Sequence, residues 1–259
     1  MKKFLYLIEL QYLGFRYHGW QFQPNVKTVQ FMLDQTLRTV LGHDNFKTLG
    51  ASRTDAMVSA HHHMSQLFTE DSIDSNETMI ALNRNLPQDI RILNMSVVDE
   101  NFRIINPDKF KEYLYIFSFG EKFHPFCAPF MAHLHESLDI ELMMEGAKMF
   151  EGVHNFYNYC HKPTQDKTYI REIQTCEVVE NDYITASFFP KKSYIIKFVG
   201  AGFLRNQVRM MSGALFNLGQ HKINLADLEK SLVEDNIHGV SYIAPATGLH
   251  LNNNNFQLE

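Results

Sequence analysis

The order of strand-like and helix-like segments predicts an α+β protein built from two similar halves. Three observations carry that expectation. Short runs rich in aromatic and β-branched residues alternate with amphipathic stretches of helical period. The order strand, helix, strand recurs about twice along the chain, and the pattern is interrupted at Asn106-Pro-Asp108. The expected division is a first half over residues 1-105 and a second over residues 106-259, a length that allows a sizeable core.

The elements follow in chain order. Phe4-Leu-Tyr-Leu-Ile-Glu-Leu-Gln-Tyr12 reads as a strand, and Leu13 to Trp20, with two glycines and several aromatic rings, as a loop. Thr28 is placed to cap a helix whose apolar positions Val29, Met32, Leu33, Leu37, Val40 and Leu41 keep helical spacing, with Gly42 as its stop. Short strands are expected over Phe46 to Leu49 and from Val58 onward, then a helix around Glu77 to Asn83 closed by Leu86-Pro87, then a strand from Ile90 to Val98. In the second half, Tyr113 to Phe119 reads as a strand and Leu138 to Phe150 as a helix ended by Gly152. Strands are expected over Glu172 to Val179 and Ser193 to Val199, followed by a long helix from Asn206 to Leu218 with Val208, Met211, Leu215 and Leu218 inward. Asn252 to Asn255 reads as a polar turn.

With 45% hydrophobic and 20% charged residues, the chain has the composition of a soluble globular protein. The apolar run Phe4 to Ile8 stops at Glu9, too short for a signal peptide or a membrane span, so a cytoplasmic protein is expected. The three cysteines, Cys127, Cys160 and Cys176, are odd in number and widely spaced, which suggests neither a disulfide framework nor a CxxC metal half-site. A net charge of −5 argues mildly against a nucleic-acid partner, but it says nothing of where the charges lie.

Ala51 to His63 gathers Arg53, Asp55 and three histidines. His61 and His63, two apart on a strand, share a face as two metal ligands would, yet no third ligand motif accompanies them, and no metal is expected. Read locally, Asp55 is a turn or helix-cap carboxylate, with Arg53 as its surface partner.

The wider sequence changes that reading. Gly50-Ala-Ser-Arg-Thr-Asp-Ala-Met-Val-Ser59 resembles the GRTDAGVH segment of the TruA-type tRNA pseudouridine synthases, and further matches run in the same order along nearly the whole chain. Tyr17-His-Gly-Trp-Gln21 resembles Y-x-G-W-Q, Thr28-Val-Gln30 the helix start that follows it, and Asn83 to Ile90 the N-x-x-L-P-x-D-I run. Lys111 to Tyr115 resembles R/K-x-Y-x-Y, Gly152 to Phe156 G-x-H-D-F, and Arg171-Glu-Ile173 an R-x-I strand start. Gly202 to Gly213 resembles S-F-L-x-x-x-V-R-x-x-x-G, and Gly248-Leu249 a terminal G-L strand.

The resemblance implies a mixed, mostly antiparallel sheet with helices on one face and a cleft on the other, RNA crossing between the halves, and a homodimer. It implies isomerisation of uridine to pseudouridine in structured RNA, with the tRNA anticodon arm as the expected substrate. That reaction breaks the bond from N1 to C1′, turns the base and rejoins it through C5, so atoms and redox state balance and no cofactor is demanded. Asp55 is the implied nucleophile, acting at the ribose or at C6 of the base. Arg209 is the implied guanidinium beside it, suited to keep a desolvated carboxylate ionised, and Tyr113 the implied tyrosine on the base. Arg53 resembles the side chain that fills the space a displaced base leaves, or it pairs with phosphate. Trp20 and Gln21 are carried over as RNA-binding, and Arg205, four residues before Arg209, is expected on the same helix face, within reach of phosphate.

Two departures stand out. Met57 and Ser59 replace the Gly and His of the related segment, and Asn101-Phe-Arg-Ile-Ile105 lacks an F-H-A-R-F run, so only Arg103 is available to substitute for its arginine. The alternative to an enzyme is therefore a catalytically silent RNA-binding protein or RNA chaperone of the same fold.

Overall fold

A computed structural model describes residues 4–105, 110–164, 167–233, 235, 237, 240 and 242–255. The chain divides into two compact units, Met1–Pro107 with Leu251–Asn254, and Asp108–His250 with Asn255–Glu259. The expected interruption at Asn106-Pro-Asp108 lies outside the described residues.

The first unit runs β1 (Phe4–Tyr12), α1 (Val29–Leu41), β2 (Phe46–Gly50), β3 (Ser59–Thr69), α2 (Ser75–Asn85) and β4 (Ile90–Val97). β1 is antiparallel to both β3 and β4, with Leu7 opposite Gln66 on one side and Ser96 on the other, and β2 is antiparallel to β3. Leu7 and Ile8 point to opposite faces and both are fully buried. A strand covered on both faces needs a continuous apolar run, which is why Phe4 to Ile8 does not alternate. Each such side chain contributes about 1.5–3 kcal/mol by burial.

α1 has the ends the sequence promised. Thr28 accepts a hydrogen bond from Phe31 N at 3.2 Å, and Gly42 closes the helix in the left-handed region at φ 76°. α2 begins two residues before Glu77, because Asp74 accepts from Glu77 N at 2.8 Å and caps it.

The second unit contains β5 (Phe110–Phe119), β6 (Ala132–Leu134), α3 (Ile140–Lys148), β7 (Gly152–Asn155), β8 (Ile170–Glu180), β9 (Tyr194–Gly200), α4 (Gln207–Gly219) and α5 (Leu225–Ser231). β5 pairs antiparallel with β9, β9 with β8 and β8 with β7, while the short β6 runs parallel to β5. The strands are thus mixed and mostly antiparallel, in an α+β fold. α3 packs on β8 and on α4, and α4 in turn on β5. α4 is buried almost all round: Met210, Ala214 and Phe216 are covered as well as the four inward residues read from its period. A helix apolar on every side belongs inside a core.

The last strand, β10 (Leu249–Asn255), corrects the expected polar turn at Asn252 to Asn255. Leu251 is fully buried, and a strand anchored there continues through asparagines, because pairing and packing outweigh weak β propensity. Gly152 opens β7 at φ 99° instead of serving as the stop of α3.

Candidate active-site residues

In the first unit, Asp55 sits in the loop between β2 and β3. Gly50 ends β2 where a Cβ would overlap the indole of Trp20. Trp20 is only 1% exposed and stacks on His63 at 3.8 Å between ring centroids. His63 Nε2 bonds Ser52 O at 3.0 Å, and Tyr12 Oη shares a 2.8 Å hydrogen bond with Thr54 Oγ1. Buried side chains therefore pin the residues on the N-terminal side of Asp55.

The loop from Gly14 to Trp20 braces the same segment along its backbone. Met57 N donates to Tyr17 O at 2.9 Å and Trp20 N donates to Thr54 O at 3.2 Å. Gly19, at φ 85°, lies so close that a Cβ would overlap Thr54 O, and a Cβ on Gly14 would overlap Val58 O. Close approach of two chains is what these glycines supply. The motifs at residues 17–21 and 50–59 are thus two strips of one structure. Asp55 is half-buried at the head of a turn closed by Val58 N to Asp55 O at 3.2 Å, with Arg53 exposed beside it.

A second layer holds this bracing loop. Val29 N and Gln30 N donate to Gly19 O and Trp20 O at 3.1 and 3.0 Å, so the first turn of α1 is tied to it. Gln21 Nε2 donates to Gln30 Oε1 at 3.0 Å, and Gln30 Nε2 to Thr48 Oγ1 at 3.1 Å. At the other end, Arg16 Nη2 and Tyr17 Oη donate to Asp89 Oδ1 at 2.9 and 2.7 Å, and Arg16 Nε also bonds this carboxylate. Burial and then the Asp89 hydrogen bond push the Tyr17 hydroxyl up to about 12. Burial acts upward on Asp89 too, but the bonds from Arg16 and Tyr17 outweigh it and leave its carboxyl below the usual range. Asn83 brackets Ile92, accepting from its N at 2.8 Å and donating to its O at 2.9 Å. Asn83 and Asp89 belong to the run that resembles N-x-x-L-P-x-D-I, but the motif alone does not reveal these contacts.

The second unit carries Tyr113, Arg209 and Arg205. Tyr113 on β5 lies opposite Phe198 of β9 and is 8% exposed. Phe203, from the Gly202-Phe-Leu stretch, meets its ring edge-on at 5.2 Å. Leu114 and Ile116 join a separate cluster with Cys127, Met131 and Ile195, as alternation along a strand requires. Arg209 Nε donates to Ala244 O at 2.8 Å, and Ala244 N donates back to Arg209 O at 3.1 Å. Gly213 lets Tyr242 approach α4, since a Cβ there would overlap Tyr242 O. Tyr115 Oη donates to Pro245 O at 2.7 Å, and full burial drives this phenol well above its ordinary value.

Two expectations change. Arg205 is not on the α4 face with Arg209: Asn206 takes the left-handed conformation at φ 59°, and the helix starts at Gln207, so i, i+4 spacing does not apply. Arg205 is exposed, and its carbonyl accepts from His161 N at 3.0 Å. Trp20, carried over as RNA-binding, is 1% exposed with its ring packed against His63. Among the described residues, no group of three His, Cys, Asp or Glu is placed to hold a metal ion. Arg103 is exposed, and its Nη1 donates to Glu100 O and Phe102 O at 3.0 and 3.1 Å.

A sequence profile described as tRNA pseudouridine synthase matches residues 147–257. The tRNA pseudouridine synthase A of Dictyoglomus thermophilum is 33% identical over 247 residues, which cover 94% of this chain and 96% of that protein. The chain belongs to the TruA-type tRNA pseudouridine synthase family. The tRNA pseudouridine synthase A 2 of Bacillus cereus is 30% identical over 252 residues, 97% of this chain and 99% of that protein. The tRNA pseudouridine synthase A of Staphylococcus epidermidis is 31% identical over 245 residues, 95% of this chain and 88% of that protein. The TruA-type likeness therefore spans both units, including residues 1–107 of the first, which the profile match does not reach.

Against the TruA-type segment, the two replaced residues have different physical meanings. Ser59 is buried, and its Oγ accepts from Gly14 N at 3.0 Å, so it clamps the bracing loop. Met57 stands at φ 67°, where the related segment has glycine, a residue that tolerates the left-handed region without strain.

Proposed function

We propose that this chain converts uridine to pseudouridine in the anticodon arm of tRNA, with Asp55 as nucleophile. The observation that carries the assignment is the construction around Asp55: two backbone strips, three aromatic or imidazole rings and three close-packed glycines hold the backbone on both sides of a half-buried Asp55 at the head of a turn. A nucleophile held so firmly costs little further ordering when substrate arrives. The carboxylate bonds transiently to ribose C1′ or base C6. The bond from N1 to C1′ breaks, C1′ joins C5, N1 takes a proton and C5 loses one, and Asp55 is released.

In this reading Arg209 supplies the guanidinium that keeps Asp55 ionised when a base displaces water. Its Nε bond to Ala244 O orients the fork. Tyr113, steadied edge-on by Phe203, stacks on the target base and handles the C5 proton. Arg53 and Arg205, both exposed, meet the displaced-base space or phosphate. Gln21, just after the bracing loop, contacts RNA, and the working enzyme is a homodimer in the cytoplasm.

The test is Asp55→Asn. Pseudouridine formation disappears while tRNA affinity stays within a few-fold, because the amide keeps the size but not the anionic nucleophile. Retained turnover would remove Asp55 from the chemistry.

A further inference from the structure

We infer that Met57 is a substrate-contacting residue: its thioether side chain packs against the RNA base next to the uridine served by Asp55 and helps select the substrate. The inference rests on the placement of Asp55 under the proposed function and names a contact that the reaction itself does not require.

Three observations lead to it. Met57 is the third residue of the turn closed by Val58 N to Asp55 O, with φ at 67°. That position of such a turn calls for Gly or Asn, and a side chain there is held against a steric penalty. The other non-glycine residues with positive φ among those described are Asn25, Lys162, Asn206 and His221, all polar. Asn and His are enriched in this region, and Met57 is the apolar exception.

Met57 is 36% exposed, so part of its side chain is open to solvent, and its hydrogen bond to Tyr17 O is made by the backbone, as glycine would make it. A penalised apolar group that stays partly open to solvent two positions after Asp55 points to a contact outside the chain. Ala56 and Arg53 are exposed on the same loop, which gives a small apolar surface flanked by one cation. A flexible, polarisable thioether suits the face of a nucleobase, and the neighbouring guanidinium suits phosphate.

The experiment uses the full chain, unmodified tRNA transcripts, and two variants, Met57→Gly and Met57→Leu. Affinity is read by filter binding, stability by the urea midpoint, and turnover by pseudouridine formation. Met57→Gly raises the urea midpoint, weakens tRNA binding by about three- to tenfold, and raises KM more than it lowers kcat. Met57→Leu keeps the apolar bulk and stays within about twofold of wild type in affinity, without the gain in midpoint. A Met57→Gly protein with a raised midpoint and unchanged affinity and KM overturns the inference, and so does one with a lowered midpoint, which would make the side chain structural. Affinity is measured without turnover, so the two readings fail separately. Wild-type protein that forms no pseudouridine sinks the catalytic reading, whereas unchanged affinity in Met57→Gly sinks this one.

Discussion

Replacing Gly19 with alanine separates the brace around Asp55 from simple backbone strain. Gly19 and Gly42 both have positive φ, 85° and 76°. A Cβ on Gly42 meets nothing within 4 Å, while one on Gly19 overlaps Thr54 O. Gly42→Ala therefore carries the conformational penalty alone, about 1 kcal/mol. Gly19→Ala carries that penalty and must also push the residue 54 backbone away, losing the bond from Trp20 N to Thr54 O, worth about 1 kcal/mol, with about 1 kcal/mol more in disturbed packing. The expected total is about 3 kcal/mol, against about 1 for the control, read from urea unfolding of both variants. Because Thr54 adjoins Asp55, turnover of the folded Gly19→Ala protein on tRNA falls by about tenfold to a hundredfold, while Gly42→Ala turns over as wild type. Equal loss of stability in the two variants, or a Gly19→Ala enzyme of wild-type turnover, would show that the loop at residues 14–20 does not position Asp55.

Asp89→Asn loosens the far end of the same brace. It costs about 2 kcal/mol at neutral pH through weakened charged hydrogen bonds to Arg16 and Tyr17. The native Asp89 carboxyl lies below its usual range, so its stabilisation is fully present above the unfolded-state value near ~4 and is lost as pH falls through the native value. Urea midpoints measured from pH 7 down to about 3 accordingly show a smaller acid loss in Asp89→Asn than in wild type, and parallel curves would refute the assignment. For Arg209→Lys, which keeps the charge but removes the fork and the Nε bond to Ala244 O, single-turnover rates fall more than tRNA affinity. A large affinity loss with unchanged turnover in saturating RNA would assign Arg209 to phosphate.

Much of the first unit was legible because its signals are local. Thr28 and Gly42 mark the ends of α1 by chemistry that needs only nearby backbone, and Pro87 restrains Leu86 at the end of α2. The missed elements were short or depended on partners remote in sequence. β6 is three residues long and exists through its pairing with β5, and β10 runs through asparagines that read as a turn until pairing is considered. α5 has a local signal of its own, the Asn224 and Asp227 capping box. The same division holds at the site. Motif spacing drew attention to Asp55, Tyr113 and Arg209, but the service of Trp20 as packing for the Asp55 loop, and of Asp89 as the anchor of Tyr17, comes from contacts across tens of residues. Arg205 misled because helical spacing was extended past Asn206, whose left-handed φ no periodicity reveals.

The central claim is that Asp55 makes this chain a pseudouridine-forming enzyme, and the most direct measurement maps pseudouridines in the tRNA of a strain lacking the gene, complemented by wild type or by Asp55→Asn. The predicted result is loss of one or more pseudouridines in the anticodon arm on deletion, restoration by wild type, and none by an Asp55→Asn protein that still binds tRNA. Anticodon-arm pseudouridines that are unchanged on deletion, or restored equally well by Asp55→Asn, would contradict it.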